Sequence, residues 1–423
     1  MPKIIVAAPP VPGEFTPLLQ IARGLAARGH QITVLTGSGF RAAVEQAGLS
    51  FAPLTGAADF DVRELHAQPG RAALPPGPAQ LSWDLINIFI NPMPDEHAAL
   101  QELLRRDPGQ YLVANTLFLG AWPAKLGAPG RRPARWVAVS AVPLALSSQD
   151  TTFFGPVPAG PGEDLKAANR AANAQFQAAI RSADDRASEL LTELGSGRPT
   201  SPFLDAIYTI ADETAVLSVP GFEFDRSDLP GNVHLAGILP APAGEDWTPP
   251  AWWHELDGSR PVVVVTQGTV ANQDLSQLIE PTLAGLADLD VTVVAAVGRD
   301  PRALTARVPA NARVAGYLPF GALLPKASVL VTNGGSGGTQ QALAAGVPVV
   351  VAGETEDKPA NAARAAYHRL GINLQTATPT AQAVARAVGS LLEDKEVREN
   401  VLRLAKVYAQ HDALDTIERL LLS

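Results

Sequence analysis

Cysteine is absent from the 423 residues, so disulfides and thiolate metal sites are excluded. Histidine is sparse: seven are scattered with no H-x-x-x-H or H-E-x-x-H pair, which argues against a zinc site. No uncharged apolar run approaches the roughly 18 residues of a membrane-spanning helix. The opening MPKIIVAAPPVPGEF lacks a long apolar stretch of the signal-peptide kind, and its prolines suit a buried strand followed by a loop. A cytoplasmic location is the expectation. A basic excess is missing too. The formal charge of −9 argues against a nucleic-acid backbone as partner. It says little about a nucleotide, which backbone N–H groups can hold.

What is present is ample core. Hydrophobic residues make up 46% and charged residues 18%, the balance of a globular protein, and the length suggests at least two domains. Strand-like and helix-like segments alternate. KIIVAAP (3–9), QITVLTG (31–37) and SFAPL (50–54) are separated by helical patterns at 15–30 and 41–49, a β-α-β-α-β order that implies a parallel sheet. YLVANTLF (111–118) and RWVAVSAVP (135–143) extend it. The second half repeats the theme with strands at 261–269, 291–298, 328–335 and 348–353. Between the halves, 238–261 has the proline, glycine and acidic character of a linker. The fold class expected is α/β, with two Rossmann-like domains facing across a cleft. Ligands of such sheets sit beyond the carboxyl ends of the strands, where the loops 10–17 and 333–339 fall.

The stretch VTNGGSGGTQQALAAG (331–346) places four glycines and an asparagine between a strand and a helix, with no lysine among them. That excludes a Walker loop, and there is no G-x-G-x-x-G either. Glycine lets backbone approach a ligand closely, and a helix start offers unpaired N–H groups and the positive end of a dipole. Read from the residues alone, the stretch is an anion site or a tight strand-to-helix turn without a ligand.

Two segments carry a family resemblance. VTNGGSGGTQQALAAGVPVVVAGETEDKPANA (331–362) resembles the H-G-G-x-[GN]-[ST]-T…E…D-Q-x-x-N-A signature of GT-B glycosyltransferases of the UDP-glycosyltransferase type, in their bacterial natural-product branch. GEFTPLLQIARGLAARGHQITVLTG (13–37) is similar to their G-H-x-x-P…L-x-x-R-G-H-x-V-T opening. The resemblance spans both halves. It implies an N-terminal Rossmann-like acceptor-binding domain at 1–225, an interdomain linker at 226–260 and a nucleotide-sugar-binding domain at 261–404. A C-terminal helix at 405–423 then crosses back to the N-terminal domain.

The resemblance also implies roles. Gly335, Gly337, Gly338 and Thr339 match the turn that holds the donor diphosphate, with Thr269 in a second loop facing it. Asn333 stands where the family has a histidine on a phosphate oxygen; its amide donates a hydrogen bond but carries no charge. Tyr317 matches an aromatic that stacks on the base, with ordinary core packing as the alternative, and Leu318 supplies backbone contacts. Gln341 stands in for a glutamate that takes the ribose hydroxyls. Asp357 and Lys358 occupy the positions of an Asp–Gln pair that holds the sugar. Asp357 also reads as a helix cap, with Lys358 exposed.

The reaction implied is inverting, metal-independent transfer of a sugar from a UDP- or dTDP-sugar, a co-substrate rather than a cofactor, to a hydroxyl of a small-molecule acceptor. The apolar, aromatic segments 74–94 and 146–160, broken by proline and glycine, suit loops around an apolar or aromatic acceptor. The family's catalytic histidine and its aspartate partner are both replaced, by Glu14 and Asn115. The replacement is coherent: Asn115 donates a hydrogen bond to a carboxylate that an aspartate would repel. As a base, glutamate starts about two pKa units below histidine, roughly 3 kcal/mol of driving force. Burial raises a carboxyl pKa, and an acidic acceptor needs a weaker base. A catalytically silent GT-B partner and a sugar-nucleotide epimerase are the alternatives. A monomer or homodimer is expected, with no nucleic-acid partner and no transmembrane segment.

Overall fold

Strand β1 (Lys3–Ala7) shows why the strands read as unbroken apolar runs. Ile4 and Val6 pack into one hydrophobic cluster and Ile5 and Ala7 into another, so both faces of the sheet are covered, as a parallel sheet requires. In the computed structural model the described residues are 2–75, 77–158, 162–241, 247–268 and 272–423. They divide into two units. Unit 1 comprises the chain up to Leu217, Asp225–Leu239 and Asp412–Ser423; unit 2 comprises Ser218–Phe224 and Pro240–His411.

Unit 1 is built on seven parallel strands: β1, β2 (Gln31–Thr36), β3 (Ser50–Pro53), β4 (Tyr111–Asn115), β5 (Trp136–Ser140), β6 (Glu213–Val216) and β7 (Val233–Leu235). Their order is β3-β2-β1-β4-β5-β6-β7, so the winding reverses between β1 and β4, which pair with Ala7 opposite Ala114. The C-terminal helix Ala413–Leu422 is part of this unit. Ile417, Leu420 and Leu421 pack in the cluster that holds Ile4, Leu18 and Ile21. Gly24 permits the close approach: a Cβ there would lie 2.5 Å from Leu414 Cδ2. Asp412 caps this helix by accepting from the Asp415 N–H at 2.9 Å.

Unit 2 repeats the topology with six parallel strands, β8 (Val262–Thr266), β9 (Thr292–Ala296), β10 (Ala312–Ala315), β11 (Val329–Thr332), β12 (Val349–Val351) and β13 (Gly371–Asn373). The order β10-β9-β8-β11-β12-β13 reverses between β8 and β11, where Thr266 lies opposite Thr332. No helix among the described residues is long and apolar enough to cross a membrane.

Three expectations need correction. Strands β6, β7, β10 and β13 have no counterpart in the sequence reading, and β7 falls within the expected 226–260 linker. They are three or four residues long, carry Glu213, Arg313 or Gly371, and three of them are sheet edges, where the apolar demand is weakest. The supposed loop 10–17 is largely helix. The helix Pro12–Ala27 starts at a proline, which costs nothing in a first turn whose N–H groups lack partners anyway, and Pro17 is accommodated farther in. Likewise the helix after the glycine run begins at Ser336, so Gly337, Gly338 and Thr339 lie in its first turns.

Candidate functional site

In each sheet the crevice at the reversal of strand order is the expected ligand position; Glu14 and Asn115 of unit 1 and the glycine turn of unit 2 lie at these reversals. In unit 1, Asn115 is the last residue of β4 and Glu14 lies in the first turn of the helix that follows β1. Asn115 Nδ2 donates to Glu14 Oε2 at 2.6 Å. The amide cannot turn round, because its Oδ1 already accepts from the Leu117 N–H at 2.8 Å. Asn115 is fully buried and Glu14 is 8% exposed. The carboxylate thus holds a directed donor in the first turn of a helix.

The segments expected to frame an acceptor divide. Within 74–94, Leu85, Ile90 and Met93 are core: the helix Pro78–Asp84 continues into the wider turn Leu85–Ile90, and Met93 opens the next helix, Met93–Arg106. Their helical spacing, not loop character, governs this stretch, which corrects the loop reading. In 146–160 a tight turn between Thr152 and Gly155 presents Phe154, which is 51% exposed and meets Phe176 edge-on. Pro76 and residues 159–161 lie outside the described residues.

Unit 2 offers backbone rather than side chains. Gly334 follows β11 at φ 94°, where a Cβ would lie 2.6 Å from Val351 Cγ1, and its carbonyl accepts from Asn361 Nδ2 at 2.9 Å. That turn delivers the chain to the helix Ser336–Ala344, whose N-cap Gly335 has no side chain to occupy the free N–H groups. A Cβ on Gly335 or Gly337 would meet nothing within 4 Å, and on Gly338 only Phe320 Cε2 at 3.5 Å. Space and unpaired donors coincide, the composition of an anion cradle.

The other nominated residues of unit 2 are placed as follows. Asn333 Nδ2 donates to the Gln267 carbonyl at 2.7 Å, tying the ends of β11 and β8 and using one of its two amide hydrogens. Thr339 is fully buried, its hydroxyl without a partner among the described residues. Tyr317 is 59% exposed, which excludes core packing, whereas the neighbouring Leu318 is buried. Gln341 is half-buried. Thr269 lies outside the described residues.

Asp357 stands at the N-cap of the helix Lys358–Tyr367 but does not cap it through its side chain; Oδ2 accepts from Asn361 Nδ2 at 2.9 Å instead. Burial pushes this carboxyl above its ordinary range, with Lys358 pulling the other way. Lys358 is not the exposed cation of the capping alternative. It is 5% exposed, and its Nζ bonds Thr355 Oγ1 at 3.2 Å and the Glu356 carboxylate. Glu356 holds a left-handed φ of 58°, an uncommon conformation for a residue with a Cβ.

Sequence reasoning missed what lies behind this site. Arg364 and Glu223 form a buried ion pair at 2.8 Å, with the Arg364 guanidinium 4.5 Å from the Phe224 ring. The one available signal was an arginine on the same helical face as Asn361, in an otherwise alanine-rich run. Glu96 was missed in unit 1. It is fully buried, accepts from the Gly120 N–H at 2.9 Å, and burial pushes its carboxyl up to about 8.

Comparison with known proteins meets this geometry. Residues 280–416 match the family described as erythromycin biosynthesis protein CIII-like, C-terminal domain. The chain is 37% identical to UDP-glycosyltransferase 2 of Phaeomoniella chlamydospora over 98% of this chain and 94% of that one. It is 36% identical to 4'-demethylrebeccamycin synthase of Lentzea aerocolonigenes over 97% of each. The solved structure of the glycotransferase of kitacinnamycin superposes with a TM-score of 0.73 over 100% of both chains at 24% identity, a likeness of fold. The two parallel-sheet α/β units are those of GT-B glycosyltransferase structures.

Proposed function

The chain belongs to the UDP-glycosyltransferase family, and on that premise we propose that it transfers a sugar, with inversion and without a metal, from a UDP- or dTDP-sugar to a hydroxyl of an apolar or aromatic natural product. The observation that carries this reading is the lysine-free glycine turn: it opens a helix with uncapped N–H groups, at the strand reversal of unit 2, where Gly335 and Gly337 face open space. Those N–H groups and the helix dipole take the negative charge that moves onto the leaving diphosphate.

The step balances as follows. The acceptor oxygen bonds to the anomeric carbon from the face opposite the diphosphate, the carbon–oxygen bond to the diphosphate breaks with its electron pair, and the acceptor proton passes to Glu14. Asn115 holds the Glu14 carboxylate in place and keeps a donor on it. Exposed Tyr317 is the stacking surface for the base, Gln341 takes the ribose, and the sugar lies by the segment that carries Asp357 and Lys358. Relatives matched over nearly the whole chain include several with UDP-glycosyltransferase or UDP-glucosyltransferase names, which favours transfer over a silent partner or an epimerase.

The test is incubation with UDP- and dTDP-hexoses and a panel of phenols and alcohols, reading product mass and anomeric configuration. A β-glycoside from an α-linked donor is expected. Retained configuration, or no product with any donor that binds, contradicts the reading.

A further inference from the structure

The turn that leaves β4, residues 115–120, carries the Asn115 amide. Asn115 Oδ1 accepts from the Leu117 N–H at 2.8 Å and its carbonyl from the Phe118 N–H at 2.9 Å, so the side chain points as the turn directs. The far end of this turn is gripped by the helix Met93–Arg106. Glu96 Oε2 accepts from the Gly120 N–H at 2.9 Å, and His97 Nδ1 lies 2.8 Å from the Gly120 carbonyl oxygen. A carbonyl only accepts, so Nδ1 carries the imidazole proton. Two neighbouring side chains thus hold both backbone polar groups of one residue. The approach requires glycine, since a Cβ there would lie 2.6 Å from the Glu96 backbone carbon and 2.8 Å from the His97 nitrogen. The start of the same helix is itself anchored, because Asp95 Oδ2 accepts from the Ala57 N–H at 2.7 Å, beyond the end of β3.

Neither side chain grips through a charge. Glu96 is fully buried and His97 is 8% exposed. Burial pushes the Glu96 carboxyl up to about 8, against the pull of the Gly120 and Leu119 backbone donors, and pushes the His97 imidazole down. At neutral pH both are mainly uncharged. Glu96 Oε1 has no hydrogen-bond partner among the described residues. Burying a carboxyl with one oxygen unmatched is costly, and packing alone would be better served by leucine.

We propose that Glu96 and His97 are positioning residues for sugar transfer: by holding Gly120 they fix the turn whose Leu117 N–H directs the Asn115 amide, and through it the Glu14 carboxylate. The inference rests on the transfer reading above, with Glu14 as base, and extends it to a layer behind the pair that touches neither substrate. A base must lie within hydrogen-bond reach of the proton it takes, so a small shift of its support lowers the rate steeply.

The experiment is transfer kinetics of the full chain on the panel of phenols and alcohols, with donor dissociation constants, for Glu96→Leu, Glu96→Gln, His97→Phe and Glu96→Leu/Glu14→Gln. A displaced base predicts that Glu96→Leu lowers kcat on alcohols by about ten- to a hundredfold, leaves acidic phenols nearly unaffected and does not change donor affinity. Glu96→Gln is uncharged and accepts from the same N–H, so it recovers most of the rate. Added to Glu14→Gln, the Glu96→Leu change costs nothing further, because the base it positions is gone. His97→Phe keeps the Glu96 bond and shows the same trend at about threefold; it carries the test should Glu96→Leu fail to fold. A loss of equal size on every acceptor, the mark of a general packing defect, overturns the proposal. So do parent-like rates in Glu96→Leu and His97→Phe, a Glu96→Gln as slow as Glu96→Leu, or a further loss in the Glu14→Gln background. A parent that transfers to no acceptor overturns the transfer reading together with this inference.

Discussion

The two units share one topology, yet the crevices at their strand reversals are furnished differently. In unit 1 two side chains, Glu14 and Asn115, are locked together at 2.6 Å with their orientation set by the backbone at Leu117. In unit 2 side chains are withdrawn: Asn333 is tied to Gln267, Lys358 is folded onto Glu356, and glycine backbone faces the open space. The difference fits the division of labour proposed above. Moving a proton needs one group with a tunable charge, whereas holding a diphosphate needs several fixed dipoles and room. A fold used twice is thus specialised by the few residues at the carboxyl ends of two neighbouring strands.

The largest effect should come from filling the room in unit 2. Gly337→Val puts two methyl groups where no atom lies within 4 Å of a Cβ, so the fold has space for them and a diphosphate does not. Binding of UDP or dTDP should fall by roughly two orders of magnitude, the loss expected when several charged hydrogen bonds go together, with an unchanged thermal midpoint. Parent-like binding breaks the claim that the diphosphate lies against the glycine backbone of this turn.

A second test separates the units by pH. The Glu96 carboxyl titrates near 8 when folded and near 4.5 as a free side chain. Between those values the folded state keeps a proton that the unfolded state has lost, so stability falls as pH rises from about 4.5 to about 8 and is lowest above that. Glu96→Gln should flatten this slope and stabilise unit 1 at pH 8 by a few kcal/mol at most. Denaturant titration at pH 5 and pH 8.5 measures it; an equal slope in both proteins refutes the assignment.

A smaller change is expected at Lys358. Its buried ammonium is held by Glu356 and Thr355 beside Asp357. Lys358→Gln should alter preference among donor sugars by about two- to tenfold, the worth of one hydrogen bond, while leaving affinity for the bare nucleotide unchanged. Identical sugar profiles would place its influence elsewhere.

Much of this contrast was legible in the chain itself. The long apolar strands announced both sheets because both faces of each are buried, whereas the glycine run alone fitted an anion site or a ligand-free turn and took its diphosphate role from the resemblance. The pairing of Glu14 with Asn115 was readable only through the family resemblance, since the two stand where the family has its catalytic histidine and aspartate. What escaped depends on side-chain partners far apart in sequence. Arg364 and Glu223 are separated by 141 residues, and Tyr408 and Gln340 by 68. No local pattern encodes such a pair. The helix start at Pro12 was hidden for a different reason: proline and glycine signal a loop in general but are tolerated in a first turn.

The central claim is that proton transfer rests on the Glu14 carboxylate of unit 1, while donor binding rests on unit 2. Its most direct test is the transfer rate of parent and Glu14→Gln across a series of phenols and alcohols of graded acidity, with the donor dissociation constant measured for both. A carboxylate base predicts that the rate ratio grows with acceptor pKa, from near unity for acidic phenols to about 10²–10⁴ for alcohols, at unchanged donor affinity. A ratio that stays constant along the series, or a donor affinity that falls with the substitution, would contradict it.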